Sequence, residues 1–355
     1  MGYPRININL EKISKNVQII TDLCKEKGVR VTGITKMVCG DYEIAKIFAE
    51  NGVIALGDSR MKNLKKIKDI EIEKWLIRIP MPDEVSDVVN YTDVSLNSEI
   101  ETIDLINIEA KTFGKKHKVI LMIDLGDLRE GFYGEDVIDA AVYISKLSNI
   151  ELYGVGTNLN CFGFVRPTKE KMEDLVRIKE KIENLTNSKL QVVSGGNSSN
   201  LKLLMEGNMD RDVNNLRLGE SLLFGRERSD YKYIENTYND TFVLEAQIVE
   251  LKTKPSVPQG EIGEDSWGNS PTFKDNGNRK KAIFAVGKQD IDPALTFPID
   301  KDIFIIGGSG DHTIIDVTDS NRSYVVGDIV RFELQYMSAL KAMTSEYVEK
   351  HYIIV

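Results

Sequence analysis

Cysteine, histidine and tryptophan are scarce in this 355-residue chain, numbering three, three and two. Cys24, Cys39 and Cys161 are too few and too unevenly spaced to frame a disulfide network or a zinc site, so no metal is expected. Long apolar runs are also missing. The longest are strand-length, which argues against a membrane-spanning helix. Met1-Gly2-Tyr3-Pro4-Arg5 runs into an alternating polar strand without the apolar core of a signal peptide. The expected compartment is the cytoplasm. Positive charge is in deficit as well, with 46 Lys and Arg against 55 Asp and Glu, a net charge of −9. That balance argues against nucleic acid or anionic membrane as the main partner, and mildly favours a cationic small molecule.

What is present is the composition of an ordinary globular protein, 41% hydrophobic and 28% charged. The length suits one large domain of roughly 200 to 250 residues and a smaller one. From residue 29 to about 225, β-branched runs alternate with helical segments. The strand candidates are Val31 to Ile34, Val53 to Leu56, Trp75 to Ile79, Asp93 to Leu96, Val119 to Asp124, Leu152 to Thr157, Leu190 to Ser194 and Asn214 to Leu218. Helices are expected at Ser98 to Phe113, Gly134 to Leu147 and Lys169 to Leu185. Eight strands at this pace predict an α/β fold with an N-terminal (β/α)8 barrel over residues 1–235. Beyond Asn236, strand-like runs (Phe242 to Leu251, Lys281 to Val286, Ile303 to Ile306, Thr313 to Val317, Ile329 to Leu334) alternate with Gly, Pro, Asn and Asp clusters. They predict a mostly antiparallel β domain over 236–355, with residues 3–9 as a further candidate strand of it. Pro255 to Asn278 reads as a long loop.

Three segments carry chemistry. Lys36 closes the apolar run Val31 to Thr35, where a barrel strand delivers a side chain to the mouth. There it either forms a Schiff base or is solvated on a loop. Ser194-Gly195-Gly196-Asn197-Ser198-Ser199-Asn200 follows the seventh strand, and small residues there let backbone N–H groups approach a phosphate. Asn214-Asn215-Leu216-Arg217-Leu218-Gly219-Glu220-Ser221 ends the eighth. A lysine after strand one and a phosphate cradle after strands seven and eight together point to pyridoxal phosphate, with Ser198 and the backbone at Gly219 and Glu220 on the phosphate.

At this point the chain resembles the alanine racemase family. The resemblance rests on Ile8 to Asn16, the segment at Lys36, Asp124-Leu125-Gly126-Asp127-Leu128-Arg129-Glu130-Gly131-Phe132, the Asn197-Ser198 turn with Arg217-Leu218-Gly219, and the sets Ala285 to Asp290 and Gly310 to Asp316. Lys36-Met37-Val38-Cys39-Gly40-Asp41 and Ser194 to Ser198 look most like the ornithine racemase branch. The resemblance implies that Lys36 holds the cofactor and serves as a base, that Arg217 faces its ring nitrogen, and that Arg129 meets its ring oxygen or the substrate carboxylate. It also implies a homodimer with shared sites.

Departures from the family pattern are informative. Lys288 stands where the family's partner-donated tyrosine stands, so the opposite-face base is Lys288, Asp311, His312 or a bound water. Asn158 replaces a ring-stacking histidine, Gly40 a phosphate-binding tyrosine and Met122 a lysine. Tyr347 is a loose candidate for another phosphate tyrosine. Cys39 and Cys161 are expected to be packing residues. Among the acids, Glu220, Asp290 and Asp311 are candidates to pair a distal ammonium. The implied activity is interconversion of L- and D-ornithine, with lysine second; a basic amino-acid decarboxylase and a non-catalytic pyridoxal-phosphate protein are the alternatives.

Overall fold

The computed structural model describes residues 2–264 and 272–354. Two compact units emerge, Leu10–Thr241 and Phe242–Ile353, the latter joined by β1 (Arg5–Asn9). The division lies a little beyond residue 235, because Thr241 is still tied to the first unit, its hydroxyl donating to the Leu223 carbonyl.

In the first unit α1 (Leu10–Glu26) precedes β2 (Arg30–Ile34), and strands and helices then alternate. They are α2 (Tyr42–Glu50), β3 (Ala55–Asp58), α3 (Met61–Lys66), β4 (Glu73–Leu76), α4 (Val85–Tyr91), β5 (Val94–Asn97), α5 (Ile100–Thr112), β6 (His117–Met122), α6 (Asp136–Ile144), β7 (Ile150–Gly156), α7 (Lys169–Thr186), β8 (Val192–Ser194), α8 (Leu201–Met205), β9 (Asn215–Leu218) and α9 (Glu220–Phe224). Among the described residues, β2 to β9 are parallel and close into a barrel through the β9–β2 pairing.

The strand period of two sorts side chains across this wall. On β6, Val119 and Leu121 face outward onto Ile103, Ile106, Val137 and Leu175, whereas Ile120 and Met122 pack inward with Trp75, Val94 and Leu96. Met122 is thus interior filling where the resembled family carries a lysine. The apolar run to Ile79 overshoots the end of β4 because Ile77 and Ile79 pack against the same interior from beyond the strand. Helix α7 follows its sequence pattern closely: Met172, Leu175, Val176 and Ile182 are buried, Thr168 Oγ1 accepts the Lys171 N–H at 3.4 Å, and Asn187 ends the helix in the left-handed region.

The second unit consists of β10 (Phe242–Pro255), β11 (Asn278–Phe284), β12 (Thr296–Pro298), β13 (Phe304–Gly308), β14 (Thr313–Asp316), β15 (Ile329–Leu334), α10 (Tyr336–Thr344) and β16 (Glu349–Ile353). The sheet order is β12-β15-β10-β11-β14-β13, all antiparallel; β1 adds to β10 antiparallel and to β16 parallel. Strands β12 and β16 are short or mixed in polarity and carry no clear period in the sequence. The expected loop is narrowed by β10 and β11, whose ends are joined by Ser256 N–H donating to Gly277 O at 2.9 Å. Residues 265–271 of that expected loop lie outside the described residues. No helix among the described residues is long and apolar enough to cross a membrane.

Candidate active site

The barrel places the chemistry-bearing side chains at the C-terminal ends of its strands. After β2, Thr35 leads into one 3-10 turn, Lys36–Val38, and two left-handed residues, Cys39 (φ 55°) and Gly40 (φ 64°), reverse the chain. Asp41 then accepts the Ile44 N–H at 3.1 Å and opens α2. A Cβ on Gly40 would lie 2.6 Å from the Asn63 carbonyl oxygen, so this position admits no tyrosine. Beneath Lys36, Thr35 Oγ1 donates to buried Asp58 at 2.8 Å, and the other Asp58 oxygen accepts Asn63 Nδ2 at 3.0 Å and the Arg60 N–H at 2.9 Å. Burial raises the Asp58 carboxyl despite these bonds.

Lys36 keeps access to solvent, and among the described residues no hydrogen bond or ion pair engages its Nζ. The surrounding wall still desolvates the ammonium, which pushes its pKa down; Cys161 opposes that shift, Arg129 and Arg228 reinforce it, and Asp58 opposes it. A larger share of neutral amine at a given pH follows.

The exits of β8 and β9 form the second part. Ser198 Oγ accepts the Ser221 N–H at 3.2 Å, which stitches the two exits together beside Gly219. Among the described residues, Thr157 Oγ1, Ser199 Oγ and Ser221 Oγ are buried hydroxyls without a hydrogen-bond partner. Such orphans are costly, and three on neighbouring exits fit a ligand rich in acceptor oxygens, such as a phosphate. Arg217 on β9 is buried, donating from Nη1 to Ser194 Oγ at 2.6 Å and from Nη2 to Thr157 O at 2.8 Å. Burial pushes its pKa down to about 10, so it remains cationic at neutral pH.

The third part joins the exits of β6 and β7. Asp127 is buried, and its carboxylate collects the N–H groups of Phe162 at 2.8 Å, Val165 at 3.2 Å and Cys161 at 3.3 Å, while its carbonyl accepts Gly163 N–H at 3.1 Å. A Cβ at Gly163 would meet that carbonyl oxygen at 2.6 Å. The clamp fixes a loop in which Asn158 Nδ2 donates to Cys161 Sγ at 3.1 Å and Asn197 Nδ2 reaches the same sulfur at 3.3 Å. Arg129, next to this clamp, is ion-paired with Glu130.

A family model described as alanine racemase, N-terminal domain, matches residues 8–227. The chain belongs to the alanine racemase family. It is 46% identical to an ornithine racemase of Acetoanaerobium sticklandii over 98% of this chain and 99% of that protein, and 38% identical to a lysine racemase of Thermotoga maritima over 99% of each. In three dimensions it resembles the crystal structure of an alanine racemase of Bartonella henselae with covalently bound pyridoxal phosphate, at a TM-score of 0.75 and 15% identity, covering 99% of this chain and all of that one.

Within this alanine racemase family member, the barrel brings Lys36, Arg129, Asn158, Asn197, Ser198, Arg217, Gly219 and Glu220 to one end. Not all are free to act. Asn197 is a brace, its Nδ2 donating to Asn158 Oδ1 and Leu159 O at 2.9 Å each while its Oδ1 accepts the Ser199 N–H. The Glu220 carboxylate is buried against Arg226 at 2.6 Å and Arg228 at 3.6 Å, which leaves its backbone, not its charge, for a ligand. Asp290 is likewise buried and accepts Ser345 Oγ at 2.7 Å.

In the β unit, Lys288, Asp311 and His312 share one exposed corner: the N–H of Lys288 donates to Ser309 O at 2.9 Å, and His312 Nδ1 meets Asp311 Oδ1 at 2.8 Å. The hydrogen bond from His312 and then that from Ser309 hold the Asp311 carboxyl below its usual range. Tyr347, in the same unit, is exposed. Cys161 departs from its expected packing role, since its half-buried sulfur accepts two side-chain bonds. Arg228 and Asp127 are the residues that sequence reasoning missed. Asp127 lies inside a quoted family segment, so its position was visible there; Arg228 carried no signal.

The Asp127 clamp makes a testable contribution. Burial raises its carboxyl, but the N–H groups of Phe162, Val165 and Cys161 outweigh this and hold it low. A carboxyl depressed in the folded state stabilises above its unfolded pKa, and that stability disappears as pH falls through the folded value. Asp127→Asn is expected to cost about 2 kcal/mol at pH 7. The gap from wild type should close below about pH 4; urea midpoints at pH 7 and pH 3 check this.

Proposed function

We propose that this protein is a pyridoxal-phosphate-dependent racemase of basic amino acids, acting on ornithine first and lysine second. The observation that carries this reading is the desolvated, unpaired Lys36 amine set beside a cradle of orphaned hydroxyls and a buried arginine. The full-length likeness to ornithine and lysine racemases supports the same choice.

Ser198, the Ser221 hydroxyl and the backbone at Gly219 and Glu220 would hold the phosphate, with Arg217 at the ring nitrogen. Pyridoxal phosphate supplies an aldehyde carbon for the substrate amine and an electron sink for the α-carbon. Lys36 would bind the aldehyde carbon through its Nζ and hold or release a proton on its own side of the α-carbon. Arg217, buried and cationic, would hold the ring nitrogen and disfavour a proton there. Arg129 orients a carboxylate with its planar fork.

A homodimer with shared sites belongs to the same reading. Leu128, Phe162 and Phe164 are exposed apolar side chains on the clamped exits, a surface of the kind that a second protomer covers. Lys288, Asp311 and His312 are the groups a partner's β unit would bring. Of the three acids considered for the distal ammonium, Asp311 alone is exposed, at 77% of its side chain.

Chiral chromatography of ornithine, lysine and alanine with the loaded enzyme tests the reading. Ornithine is expected to racemise with a kcat/KM at least about 100-fold above that of alanine. Asp311→Asn should raise the ornithine KM roughly ten-fold and leave alanine unchanged. Equal turnover of alanine and ornithine, or release of carbon dioxide, overturns the assignment.

A further inference from the structure

The order of strands around the barrel is β7-β8-β9-β2 along one arc. The cradle lies on β8 and β9, so Lys36, beyond β2, and Cys161, beyond β7, flank it from its two sides. Any group anchored in the cradle and reaching across the mouth has an amine on one flank and a thiol on the other. The orphaned Thr157, Ser199 and Ser221 hydroxyls belong to the same β7, β8 and β9 exits.

Cys161 is built into this position. Asp127 holds its backbone, and Asn158 and Asn197 point carboxamide N–H groups at its sulfur. Packing needs none of these partners.

We propose that Cys161 carries the proton on the side of the α-carbon opposite Lys36. In one direction the Cα–H bond breaks toward Lys36 Nζ and its electron pair stays on the α-carbon. The S–H bond of Cys161 then breaks, and its proton forms the new Cα–H bond on the other side, leaving an ammonium and a thiolate. Solvent in the open mouth returns a proton from Nζ to Sγ, and the reverse direction exchanges the two roles. The assignment rests on the racemase reading above and supplies its second acid–base group from within one protomer, leaving Asp311 and Lys288 to substrate binding.

Two measurements on the full-length protein test it. The first is iodoacetamide labelling mapped by mass spectrometry, with Cys24, buried and with its thiol pushed up to about 12, as the unreactive internal control. Cys161 should be labelled in the free protein and protected at least ten-fold by pyridoxal phosphate with saturating ornithine; equal labelling in both states overturns the proposal. The second is proton NMR of L- and D-ornithine in deuterium oxide with Cys161→Ala and the near-isosteric Cys161→Ser. Racemisation should fall at least 100-fold in both while α-deuterium exchange survives for one enantiomer only. Wild-type racemisation by both variants overturns the Cys161 assignment, as does single-enantiomer exchange appearing in Lys288→Ala instead. Absence of ornithine and lysine turnover in the wild type would remove the racemase reading, and this assignment with it.

Discussion

Lys36→Ala is expected to lower racemisation by about 10⁴-fold or more, the largest effect of any single change in the molecule. On the proposed reading two functions would be lost together, the amine that anchors the aldehyde carbon and the base that moves the α-proton. The fold should survive, because Lys36 sits on a one-turn exit with solvent access and its Nζ has no hydrogen-bond partner among the described residues. The check has two parts. Borohydride reduction followed by peptide mass mapping should find the adduct at Lys36 in the wild type and none in the variant, and thermal unfolding midpoints should agree to within a few degrees. An adduct on another lysine would displace the central assignment.

Arg217→Met separates activity from stability in the opposite sense to most core changes. The guanidinium is buried, and its two described hydrogen bonds go to neutral acceptors, Ser194 Oγ and Thr157 O. Keeping a charge there costs the fold desolvation energy, and a methionine of similar volume relieves it while leaving those acceptors unpaired. The opposing effects are each a few kcal/mol. Net stability should therefore change little, whereas racemisation should fall about 10³-fold if, as proposed, Arg217 is the cation at the ring nitrogen. Urea denaturation of the cofactor-free protein and steady-state rates measure the two separately. A large loss of stability would make Arg217 chiefly structural.

Much of this was legible in the chain. The eight barrel strands announced themselves through β-branched runs, and α7 through buried positions at helical spacing. Lys36 stood out because it closes an apolar strand run, and Ser198 and Arg217 because they belong to Gly- and Ser-bearing segments at the ends of the seventh and eighth strands. The rest depended on contacts distant in sequence. Asp127 and Cys161 are 34 residues apart and act as one clamp only after β6 and β7 pair. Glu220 looked available until Arg226 and Arg228 folded back over it. Strands β12 and β16 were obscure because three or five residues of mixed polarity carry no period, and their pairing partners decide them.

The smaller unit also sets an order of events. Its β1 strand lies between β10 and β16, bonded to Phe242–Glu245 on one side and to Glu349–Ile353 on the other. As the ribosome releases the chain, β1 emerges ahead of the barrel and waits while the whole barrel is synthesised, without its partners β10 and β16. The barrel, whose neighbouring strands follow one another closely, can close in the meantime. Sheet completion follows the barrel, so a nascent chain carries β1 exposed throughout barrel synthesis, and chaperone binding during translation should concentrate there.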